Sequence, residues 1–170
     1  MPAPVLMDLG PVVGQNISFF GDRLGCKFLV VDLFSEIESH ARRKALDTMG
    51  TVLDGRLAHP PGSIDGILCW DLFDFLDRRY AQAVATKLVG LLKPGGALYG
   101  FFGTAAGEIA HYTRFVVETP DVFELRTRPA TPVKRNVLVT RDINKMFDGL
   151  NVAESVLLKS STREVLFRKP

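Results

Sequence analysis

The sequence predicts a three-layer α/β fold: a mostly parallel sheet covered by helices on both faces and closed by an antiparallel hairpin. Three observations carry this. Short runs that are apolar throughout alternate with segments of helical periodicity, the signature of strands buried on both faces and joined by crossover helices. A sharp Pro-Gly-Gly stop separates the longest helix from the strand after it. The last twenty residues switch to two alternating runs around Ser160 and Ser161, which read as a hairpin.

The elements follow in order. "VLMDLG" at Val5 to Gly10 is an apolar run stopped by glycine. "NISFFGDRLG" places Ile17, Phe20 and Leu24 at helical spacing before Gly25, and "CKFLVVD" is a second buried strand ending in Asp32. Together they have the size of one βαβ unit. "SEIESHARRKALDTMG" opens with Ser35 and Glu38 spaced as a capping box, and its apolar stripe of Ile37, Ala41 and Ala45 is thin. "TVLDG" reads as a short third strand and "HPPGS" as a turn. "SIDGILCW" is a clear strand. It leads into a helix with Tyr80, Val84 and Leu88 inward, which Pro94, Gly95 and Gly96 end before the strand "ALYGFF". Residues 104–140 mix strand-like stretches with a Pro-Asp turn and proline-spaced loops. "RDINKMFDGL" then forms a helix with Ile143, Met146, Phe147 and Leu150 inward.

Composition bounds the function. A chain of 170 residues suits one domain over 1–170, burying about two-thirds of its unfolded surface. With 21 Lys plus Arg against 19 Asp plus Glu, there is no electrostatic signal for nucleic acid. The cluster Arg126, Arg128, Lys134, Arg135 reads as a solvated loop face. No segment approaches the ~20 apolar residues of a membrane span, and Cys26 and Cys69 suit reduced, buried thiols, so a cytoplasmic protein is expected. No metal-ligand spacing is present. Of the histidines, His40 reads as solvated on its charged helix, and His59 and His111 as loop or surface residues.

In an open parallel sheet, ligands bind at the carboxyl ends of strands where strand order reverses. The loop from Asp8 to Asn16 and the strand end at Asp32 would line that crevice. Asp32 lies 22 residues after Gly10, the separation of an acid that accepts from ribose hydroxyls. The loop reads G-P-V-V-G, not G-x-G-x-x-G, and Pro11 removes an amide that a pyrophosphate would use. A nicotinamide-dependent reductase is therefore disfavoured.

The order and spacing of "MDLGPVVG", Asp32, "SIDGILCWDLFDFL", "LLKPGG" and the terminal hairpin resemble the class I S-adenosylmethionine-dependent methyltransferases, over most of the chain. The resemblance implies a Rossmann-like, seven-stranded sheet with a reversed final strand. It implies S-adenosyl-L-methionine as cofactor, with Asp8, Gly10 and Gly14 under its methionine portion, Asp32 on the ribose and Leu33 beside the adenine. By the same resemblance Asp54 matches the acid that takes the adenine amino group, while Trp70 and Asp71 border cofactor and acceptor. The acceptor implied is a small molecule. Methyl transfer depends largely on positioning, and a base to deprotonate the acceptor has three candidates, Asp71, His111 and Tyr112.

Two departures from the family pattern stand out. Val12 occupies a position where glycine would allow close backbone approach. The chain enters its first strand almost at once, without the helix that usually covers the cofactor, which points to an open site, to a lid from a partner, as in a homodimer, or to a true start upstream. Residues 104–140 are expected to form the substrate side. The alternative to an active transferase is a methyltransferase-like binding or scaffold protein without turnover.

Overall fold

β1 (Val5–Asp8) is the strand around which the sheet is organised in this computed structural model, which describes residues Met1–Pro170. It pairs in parallel with β2 (Lys27–Val30) on one side and β3 (Ile64–Trp70) on the other. β4 (Leu92–Gly103) lies parallel to β3. The sheet ends in an antiparallel pair, β7 (Asn151–Leu157) and β8 (Thr162–Arg168), in the order β2-β1-β3-β4-β8-β7. From β1 the chain crosses to β2, then returns past β1 to β3. Strand order therefore reverses between β1 and β3, and the ends of those two strands form the crevice expected to hold a ligand.

The sheet has six strands, one fewer than the resemblance implies, because "TVLDG" is not a strand. It lies within α3 (Met49–Arg56), where Met49, Leu53 and the following Leu57 recur every fourth residue and are all buried. That spacing selects a helix with one inward face. α2 (Leu33–Arg42) also differs at its start. Asp32, not Ser35, is its N-cap, accepting from the Ser35 amide at 3.0 Å and hydroxyl at 2.6 Å. Glu38 is released from capping and instead accepts from the backbone and hydroxyl of Thr131. The buried face of α2 is broader than its thin stripe suggested and includes His40, whose Nδ1 lies 2.7 Å from the Glu36 carbonyl. His40 is thus a core residue, not a solvated one.

Between β1 and β2, α1 (Gly14–Ile17) runs into a π-helical turn (Ser18–Arg23) in which the Leu24 amide reaches back to the Phe19 carbonyl. The extra residue per turn rotates the face. Phe19 is consequently buried, whereas Ile17 and Leu24 are exposed. α4 (Arg78–Leu91), capped by Asp77, buries Tyr80, Val84, Leu88 and Leu91 as anticipated. Its last carbonyls, those of Val89 and Leu92 around the stop, accept from the Lys169 ammonium at 2.8 Å each, so the chain terminus ties off the helix. α5 (Thr140–Met146) points Ile143 and Met146 into the same core.

Residues 104–140 are largely one long hairpin, β5 (Glu108–Thr119) and β6 (Val122–Lys134), that pairs only with itself. It lies over the strand ends. The Asn16 side chain donates to the Phe115 carbonyl and accepts from the Val117 amide, both at 2.8 Å, pinning β5 to the first loop. Phe115 and Val117 join Phe19, Leu68, Trp70 and Phe101 in an apolar cluster separate from the main core under α2 to α5.

Asn16→Ala leaves two buried backbone groups without partners and is expected to cost about 1–3 kcal/mol. Phe115→Ala is expected to cost about 3–5 kcal/mol. Because both act on one strand, urea denaturation of the double variant should show a loss smaller than the sum. Strict additivity would mean that Asn16 and Phe115 do not hold the hairpin as one unit.

Candidate functional site

At the reversal point the Asp8 carboxylate is buried, and its Oδ1 accepts from the Gly10 amide and from the Trp70 indole Nε1, each at 2.8 Å. Burial pushes its pKa up to about 6; these two hydrogen bonds oppose the rise and the charge of Asp32 adds to it. Trp70 has a positive φ of 50°, unusual for a bulky side chain, and Asp32 has one of 47°. Two such residues, at the ends of the strands that flank β1, mark a locally strained region of the kind found at ligand sites.

Trp70 occupies the crevice itself. Its ring stacks on Phe115 with centroids 4.9 Å apart and planes 4° from parallel, and Phe115 stacks in turn on Phe101 at 5.1 Å. Gly10 is needed for this packing: a Cβ there would come within 2.8 Å of the Trp70 ring. What remains between the first loop, Phe34 and β5 is a cavity of about 10 Å³, room for about one water.

Asp71 and Arg114 both line that remnant. Burial, then the neighbouring Asp74 carboxylate, push the Asp71 pKa up to about 7. Asp74 is itself pushed up to about 6 by burial, against the pull of the Gly103 amide, 2.9 Å away, and Arg135. A carboxyl that exchanges its proton near neutral pH is chemically suited to general acid or base work.

The other expected residues fare differently. Asp32 stands at the crevice with both oxygens on Ser35 and is half-buried. Leu33 is wholly buried in the main core, which removes it from any adenine contact. Asp54 lies on the exposed side of α3, 3.5 Å from Lys87, because the strand that would have carried it to the crevice is a helix. Gly14 opens α1 with nothing near its Cα that would exclude a side chain. Val12 is 53% exposed and has no positive φ, so the steric cost foreseen for it does not arise. His111 is exposed on β5, and Tyr112 packs its ring on Phe34 at 4.5 Å.

Asn16, Arg114 and Phe115 escaped sequence reasoning. The partners joined by Asn16 are 99 and 101 residues away. Asn16 stands beside Gln15 and close to Ser18, so no local pattern marks it out.

No protein-family model matches the chain, and no curated protein sequence matches it. Solved structures do. The PH0226 protein of Pyrococcus horikoshii OT3 is 12% identical with a TM-score of 0.59, over 99% of this chain and 83% of that one. The glycopeptide N-methyltransferase MtfA complexed with S-adenosyl-L-homocysteine is 16% identical with a TM-score of 0.55, over 100% and 82%. The 1,6-didemethyltoxoflavin-N1-methyltransferase of Burkholderia thailandensis, with 1,6-didemethyltoxoflavin and S-adenosylhomocysteine bound, is 12% identical with a TM-score of 0.51, over 98% and 72%. This chain has the class I S-adenosylmethionine-dependent methyltransferase fold.

The cofactor of that fold fits these residues at one end only. Asp32, which the resemblance would set against the ribose, retains acceptor capacity beyond its bonds to Ser35. At the methionine end, above Gly10, Trp70 and Phe115 fill the space, and the methyltransferase fold is closed there in this conformation. Neither Asp54 nor Leu33 reaches the adenine end.

The raised pKa of Asp71 has a definite sign for stability. The folded state binds its proton more tightly than the unfolded state, so stability falls as pH rises from about 4 to about 7. Asp71→Asn should make that fall shallower, most of all near pH 7 above the range in which Asp8 and Asp74 titrate, read as melting temperature against pH. A profile unchanged by the substitution would refute the assignment.

Proposed function

We propose that this chain is an S-adenosylmethionine-dependent methyltransferase acting on a small-molecule acceptor, with the hairpin over residues 108–134 lifting to admit its ligands. The observation that carries this reading is the coincidence of Asp8, Gly10 and Asp32 with the strand-order reversal of this fold. Bound S-adenosylmethionine would supply a methyl group on a sulfonium centre. This chain's own contributions are a ribose acceptor, Asp32, and a proton acceptor, Asp71, whose carboxyl is half-ionised near neutral pH and can take a proton from an acceptor hydroxyl or amine. Residues 104–140 form the substrate side in this reading, since β5 supplies the wall facing Asp71.

One observation favours a second reading, a binding or scaffold protein of this fold without turnover. The space above Gly10 is taken by two stacked aromatic rings that the protein itself supplies.

Calorimetric titration with S-adenosylhomocysteine separates the two. The transferase reading expects micromolar binding to the wild type. Asp32→Asn, which tolerates the left-handed backbone and keeps the helix cap, should weaken it by about tenfold or more through loss of a charged acceptor. Phe115→Ala should bind at least as tightly as the wild type. Absence of binding to the wild type at millimolar ligand would overturn the transferase reading in favour of the second.

A further inference from the structure

A second concavity lies on the other side of Phe34 and Phe75, whose rings meet edge-on at 5.0 Å and wall it off from the crevice. It has a volume of about 580 Å³, within the range of small-ligand pockets. Its floor is apolar, formed by Met49 and Phe75, which are buried, with Val133 and Val137. Its lining holds three cations and one acid. Arg78, Lys134 and Arg135 line it against a single acid, Asp77, whose Oδ1 is committed to the Tyr80 amide as the cap of α4.

The cations are unequally engaged. Arg78 pairs with Asp142 at 2.9 Å. Arg135 donates to the Ala105 carbonyl at 2.9 Å, and its Nε stands 3.5 Å from Asp74, too long for a good hydrogen bond. Lys134 is exposed and forms no ion pair. Asn136, also in the lining, has a buried amide nitrogen without an acceptor. One unpaired cation, Lys134, and an unused donor, Asn136, beside an apolar floor specify a ligand with an apolar body and an anionic end.

We propose that this pocket binds a small carboxylate with an aromatic or branched apolar body. The proposal does not rest on the methyltransferase reading, because the pocket shares no lining residue with the crevice.

The test is a titration of the full chain with benzoate, followed by amide chemical shifts, with benzyl alcohol and inorganic phosphate in parallel and no S-adenosylmethionine present. Benzoate should shift the amides of Val133 to Val137 and bind more tightly than either control. Lys134→Glu should weaken it about tenfold, the order of one lost charge-assisted contact. Arg78→Gln should weaken it several-fold. Lack of benzoate binding at millimolar concentration, shifts elsewhere, or affinity unchanged in both variants would overturn the proposal. So would benzyl alcohol or phosphate binding as tightly as benzoate, since either the charge or the apolar floor would then be idle.

Discussion

The stack of Trp70 on Phe115 is the contact on which the arrangement of this protein depends. Trp70 is the last residue of a central strand, and Phe115 lies midway along a hairpin that has no other sheet partner. Aromatic pairs of this geometry contribute about 0.5–1.5 kcal/mol beyond the area they bury. Here the pair also decides position. The indole can lie flat under Phe115 because Gly10 has no side chain, and its Nε1 is held by Asp8. Asn16 locks the strand on the other side of the contact.

That closure explains the electrostatics below it. Asp8, Asp71 and Asp74 line the ends of β1 and β3 under the hairpin, where water has little access and burial dominates every shift. Burial in low dielectric disfavours the charged form of a carboxyl, and a like-charged neighbour adds to the effect. Compensation is partial: the Gly10 amide and Trp70 for Asp8, the Gly103 amide and Arg135 for Asp74. Asp71, with least to oppose burial, rises furthest. A site of raised carboxyl pKa values at a strand-order reversal is an arrangement suited to proton exchange.

The fold and the site diverge in an instructive way. The sheet has the parallel β2-β1-β3-β4 order and the reversed terminal hairpin, and the chain superposes on solved methyltransferase structures over nearly its whole length at low identity. Where the resemblance implies a further strand there is α3, and Asp54 lies on its exposed side. Fold similarity thus survives the loss of individual ligand contacts, because topology is set by the core and ligand contacts by a few strand ends and loops.

The sequence by itself determined the parallel core, the terminal hairpin and the inward faces of α4 and α5, since those rest on local apolar periodicity and on Pro-Gly stops. It also located Asp8, Gly10, Asp32 and Asp71 at strand ends, because a residue just after a buried run must emerge at the sheet's edge. Periodicity of four in Met49, Leu53 and Leu57 was present for α3, but the β-branched start of "TVLDG" competed with it. Only the tertiary structure decided what those strand ends do. Asp32 caps α2, Gly10 makes room for an indole and Trp70 fills the crevice, all through partners in the fold. Phe115 and Asn16 are decided most purely this way: their roles arise from a hairpin about a hundred residues from the first loop folding back over it. Contacts at that separation leave no periodic trace in a single chain, because side-chain pairing across a fold is specified by shape and not by spacing.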